Sequence, residues 1–133
     1  MKVILAATLL ALAAFVVHVV RSSGQLPDEP VPVAWDREVC SYCRMHVGEP
    51  RHAVQLVTAD GTVRNFDDVG CALQYLAAHR PDVHRLWFHG EGTAWIPADR
   101  VGFVATAVTP MGFGLLAVDG RTPGARRLDE VQP

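Results

Sequence analysis

The sequence predicts a small α+β domain, a ββαβ-type sandwich, behind an apolar N-terminal helix. Three observations predict it. An alternating run, His52 to Thr58, meets the turn pair Asp60-Gly61. Val69, Ala72, Leu73, Leu76 and Ala77 then follow the i, i+3, i+4, i+7, i+8 spacing of one buried helical stripe. Further β-prone runs follow Pro81.

At the N-terminus, Val3 to Val20 is a run of 18 residues without a formal charge, bracketed by Lys2 and Arg21. As a helix it would span roughly 27 Å, near the hydrocarbon thickness of a bilayer. Residues 1–21 therefore read as a transmembrane anchor or a signal sequence. Ala11-Leu12-Ala13 has the small-x-small form of a cleavage site, but the apolar run continues beyond it. An uncleaved single-pass anchor is the favoured reading, with secretion after cleavage the alternative. Lys2 favours a cytoplasmic N-terminus, and either reading puts the domain on the extracytoplasmic face.

Residues 22–33 hold Pro27, Pro30 and Pro32 and read as an extended linker. Residues 34–119 form the expected folded unit. Within it, His52 to Thr58 and Thr62 to Phe66 make a hairpin. Asp67 or Asp68 caps the helix, and Pro81 stops it after His79 and Arg80. Val83 to His89 is a third strand, and Gly90-Glu91-Gly92 turns into Thr93 to Ile96. Val101 to Val108 and Leu115 to Val118 complete the β-prone runs. Residues 120–133 are polar and read as a flexible tail.

Composition narrows the function. Residues 24–133 carry 10 Arg against 14 Asp and Glu, a formal charge of −4. A mildly acidic domain excludes nucleic acid as a partner, since that needs clustered positive charge. No phosphate-binding loop, dinucleotide fingerprint or Gly-x-Ser-x-Gly elbow is present. So small a domain suits a binding module or a compact thiol or metal site.

The candidate chemistry lies in sulfur. Cys40-Ser41-Tyr42-Cys43-Arg44-Met45 places two thiols and a thioether within six residues. Cys-x-x-Cys alone reads as a metal pair, a redox dithiol or a disulfide. A neighbouring thioether favours Cu(I), because soft sulfur prefers a soft metal. Cys71 falls in the first turn of the expected helix, about 160–200° from its apolar stripe. There it would be reactive, metal-bound or solvent-facing. Met111 lies in the turn-rich run Thr109 to Gly114.

Cys-x-x-Cys-x-Met, then Phe66-Asp67-Asp68-x-Gly-Cys71-x-Leu-x-Tyr75-Leu76, then Pro110-Met111-Gly112-x-Gly114, in that order, resembles the NosL family. The resemblance spans about residues 36–118. It implies an extracytoplasmic Cu(I) metallochaperone, not an enzyme. Its partners would be an apo copper enzyme, nitrous oxide reductase or a related one, and that enzyme's membrane maturation apparatus. It implies a fold related to that of the organomercurial lyases. It also implies Cys40, Cys43, Met45 and Met111 as metal ligands, with Cys71 in a second tier and His46 and His52 as additional candidates. The family usually has Gly where this chain has Arg44, and many members are lipoproteins rather than helix-anchored. The competing expectations are an extracytoplasmic thiol enzyme (a disulfide reductase or an organomercurial-lyase-like enzyme) and a structural Zn(II) or disulfide domain.

Overall fold

The computed structural model describes residues 2–133, the side chains of 2–7 and 20–23 excepted. The first helix, α1 (Lys2–Ser23), leaves Leu9, Leu10, Leu12, Phe15 and Val16 at least half exposed. Among the described residues no helix is long and apolar enough to cross a membrane, so the expected anchor gains no support. Part of that span, residues 3–7 and 20, lies outside the described side chains.

The domain is a small α+β fold built on antiparallel sheets. The hairpin forms as β1 (Val54–Thr58) and β2 (Val63–Phe66), after a short 3-10 turn at Pro50–His52. Asp60 closes it, accepting the Thr58 hydroxyl and the Thr62 N–H. Helix α2 (Val69–His79) follows, then β3 (Val83–His89) and β4 (Trp95–Pro97). These strands make one sheet in the order β2-β1-β3-β4. β5 (Val101–Ala105) and β6 (Leu115–Asp119) form a separate two-stranded sheet.

Strand register divides the larger sheet into two faces. Val54, Phe66 and Phe88 are cross-strand neighbours, as are Leu56 and Leu86. Phe66 packs on Tyr75 of α2 with ring centroids 5.2 Å apart, and Phe88 meets Phe103 of β5 edge-on at 5.1 Å. That face is the core. The opposite face carries Gln55, Asn65 and Trp87, and β1 is buried on both sides. Gln55 is tolerated there because its amide is satisfied. Its oxygen accepts the Val31 N–H at 2.7 Å, and its nitrogen donates to the Val31 carbonyl and to Asn65, both at 2.9 Å. The expected linker is therefore laid on the sheet. Asp28 is tied there to Arg85 at 2.6 Å and lies 3.4 Å from His84.

Two further differences concern the ends of elements. Residues 120–133, expected as a loose tail, are docked. Arg126 and Phe103 exchange backbone hydrogen bonds of 2.9 Å, and α3 (Leu128–Val131) packs Leu128 and Val131 against the core. In α2, Ala77 is exposed although it belongs to the expected stripe, whereas the first turn is buried all round. Two loops close over that turn, and these build the site.

Candidate metal centre

The Cys-x-x-Cys segment is a tight hairpin loop. The Cys40 N–H donates to the Met45 carbonyl at 2.8 Å, and the Arg44 N–H returns to the Cys40 carbonyl at 3.2 Å. Val39 and His46 pair as an antiparallel bridge, and the Val47 N–H bonds to Glu38. The Ser41 N–H donates to the Asn65 carbonyl at 2.9 Å, fixing the loop to β2. Arg44 turns the chain with φ +68°, in the left-handed region. That conformation costs a non-glycine residue about 1–2 kcal/mol, part of which glycine's own entropy cost offsets. Arg44→Gly is expected to raise stability by up to about 1 kcal/mol, seen as a higher urea midpoint.

The third thiol comes from α2. Asp68 caps this helix by accepting the Gly70 N–H at 2.9 Å, so Cys71 is its third residue. Cys71 is fully buried, which corrects the solvent-facing alternative: the side of the helix opposite its apolar stripe is covered by the Cys40 loop. The sulfurs of Cys40, Cys43 and Cys71 all lie within 4.8 Å of one another, a set that could hold a metal ion. Cys40 is fully buried and Cys43 partly exposed, so the cluster opens to solvent on the Cys43 side.

The thiols differ in acidity. Cys40 is lowered to about 5, first because the Cys71 thiol donates to its sulfur. Burial opposes this, and the backbone N–H groups of Asp67, Cys43 and Tyr42 reinforce it. Cys71 is pushed far up, by donating to Cys40, by burial and by the Cys40 charge. Cys43 is raised by burial, against the Met45 N–H that points at its sulfur. The loop thus aims amide hydrogens at both of its sulfurs.

These shifts give the reduced, metal-free protein a signed pH dependence. Between about 5 and the unfolded thiol value of about 8.5, the folded state carries the Cys40 thiolate while the unfolded state keeps that proton. Stability rises with pH across this window and is lost as pH falls through about 5. Above about 8.5 the unfolded thiols ionise while Cys71 and Cys43 stay protonated, and stability falls again. Thiolate absorbance in the ultraviolet should show a step with midpoint about 5 that disappears in Cys40→Ser.

The other candidate ligands are placed differently. Met45 and Met111 are 58% and 42% exposed. Among the described residues no histidine or carboxylate joins the three sulfurs, so His46 and His52 are not brought into the cluster. His46 is exposed. His52 is buried, its Nδ1 lacks a hydrogen-bond partner, and its Nε2 lies 3.7 Å from Glu49. Burial lowers its pKa. It sits in the 3-10 turn beside β3 and β6. His89 is set edge-on between Trp35 and Trp95.

Sequence reasoning missed the parts played by the Asp67-Asp68 pair beyond capping. Asp67 is buried, its backbone N–H serves the Cys40 sulfur, and its carboxylate receives the Gly48 N–H at 3.4 Å. Burial raises its pKa. Asp68 reaches with its second oxygen to the Met111 N–H at 3.0 Å. The signal was two adjacent carboxylates where a helix needs one cap. No family model, curated protein or solved structure matches the chain.

Proposed function

We propose that the protein is a Cu(I)-binding metallochaperone that delivers copper to an apo copper enzyme, nitrous oxide reductase or a related one. The observation that carries this reading is the three-thiol cluster, drawn from two distant chain segments and accessible from one side. Thiolates select soft metals, and an ion on three sulfurs leaves room for an acceptor's ligand. Copper is the cargo here, held by Cys40, Cys43 and Cys71. Met45 and Met111, both exposed residues, would exchange it through their thioethers. The resemblance to the NosL family, carried by the same three segments, supports copper over other soft metals. It also suggests a membrane maturation apparatus as the further partner. The apolar run of residues 3–20 is proposed to take the domain to the extracytoplasmic face.

Zn(II) in a structural site takes four closed ligands, and no histidine or carboxylate completes these three among the described residues. A dithiol reductase needs an accessible, acidic nucleophile. Here the acidic thiol, Cys40, is buried, and the accessible one, Cys43, is raised.

The test is an anaerobic Cu(I) titration of the reduced full chain against a chromogenic Cu(I) chelator. The expected result is binding that survives competition, depends on all three cysteines and weakens in Met45→Leu and Met111→Leu. Folded, reduced protein that leaves all Cu(I) on the chelator would overturn the reading.

A further inference from the structure

We propose that Asp68 is the positioning residue of this site. Its carboxylate clamps the loop Thr109 to Gly114 onto the turn of α2 that carries Cys71, and so presents the Met111 thioether to the metal. The inference rests on the Cu(I) reading above and adds a residue to it.

A helix cap uses one acceptor oxygen, and Ser, Thr or Asn serves as well as Asp. Asp68 spends Oδ1 on that task, accepting from Gly70 two residues on. Its Oδ2 accepts from Met111, 43 residues away. Only a carboxylate offers acceptors at both positions; an amide would turn a donor toward one of the two N–H groups. Asp68 is fully buried, so neither bond competes with water.

A second contact presses the same loop onto the same turn. A Cβ added at Gly70 would lie 1.9 Å from Cγ of the Phe113 ring, so the ring occupies the space that any side chain at residue 70 would need. The loop is also braced within itself. The Gly112 N–H bonds to the Thr109 carbonyl at 3.1 Å, and the Gly114 N–H bonds to the Thr109 hydroxyl at 3.2 Å. Fixing the Met111 backbone therefore fixes the whole loop. The flexible thioether then has only its own rotamers to search.

The experiment uses the full chain with Asp68→Ser, Met111→Leu and the double variant. Ser keeps the cap and is too short to reach the Met111 N–H. In the metal-free protein, the Met111 amide should lose hydrogen-exchange protection in Asp68→Ser while Ala72 keeps its own. In chelator competition, Asp68→Ser should weaken Cu(I) binding by the same factor as Met111→Leu, about tenfold. Met111→Leu should then add nothing in the Asp68→Ser background. Gly70→Ala breaks the second contact without touching Asp68, and should give the same loss if Asp68→Ser does not fold. Wild-type Cu(I) affinity in Asp68→Ser, or fully additive losses, would overturn the clamp while leaving the chaperone reading intact. A wild-type chain that binds no Cu(I) would overturn the chaperone reading, and the clamp's role in presenting Met111 with it.

Discussion

Cys71→Ser should weaken Cu(I) binding as severely as Cys40→Ser does, by more than about 100-fold. Changes outside the holding set already cost metal sites about 10–100-fold, and loss of one of the three thiolates that hold the ion should exceed that. The expectation separates a three-thiol site from a Cys-x-x-Cys dithiol, for which Cys71 would be a bystander. It follows from the cluster geometry, because the Cys71 sulfur is within 4.8 Å of both others. The fold should survive. A Ser hydroxyl at residue 71 can still donate to the Cys40 sulfur, and one at residue 40 can accept two of the three backbone N–H groups aimed there. Chelator competition measures the affinity, and circular dichroism of the same samples checks the fold. Retained tight binding in Cys71→Ser would reduce the site to the loop alone.

Phe103→Ala should cost about 3–5 kcal/mol, the largest effect on stability from any substitution argued here. Phe103 is fully buried and stacks edge-on with Phe88, so it is the main aromatic bridge between the two sheets. Its backbone also holds Arg126, and so the start of the C-terminal segment. Removing the ring leaves a cavity that β5, confined between β6 and Arg126, can close only in part. A domain of this size has about 5–15 kcal/mol in total, so urea unfolding should show a marked fall in midpoint. The Met111 loop is the connection between β5 and β6. Loosening that hairpin should therefore also weaken Cu(I) binding, by no more than Met111→Leu does, which chelator competition on the residual folded protein would reveal. An unchanged urea midpoint would show that the two sheets do not depend on this contact.

Local chemistry determined much of this protein. Asp60-Gly61 closes its hairpin because glycine accepts φ +85° there. Asp68 starts α2, Pro81 follows its end, and β3 runs over the residues that its apolar content marks. The sulfur residues, and the order in which their three segments occur, were also legible. Each of these features depends on neighbours a few residues apart. How the segments meet depends on long-range packing. Helical periodicity set Cys71 on the side away from the apolar stripe, but periodicity does not say what covers that side. The Cys40 loop does, and it turns a thiol expected to face solvent into the buried third member of the sulfur cluster. Gln55 and the Pro-rich stretch read separately as a polar strand residue and a linker, and become one hydrogen-bonded contact only when packing joins positions 24 residues apart. The second oxygen of Asp68 is the same case over 43 residues. Sequence spacing fixes which groups can meet within a turn or a strand pair. Which distant groups must satisfy one another's buried hydrogen bonds is settled only when the layers pack.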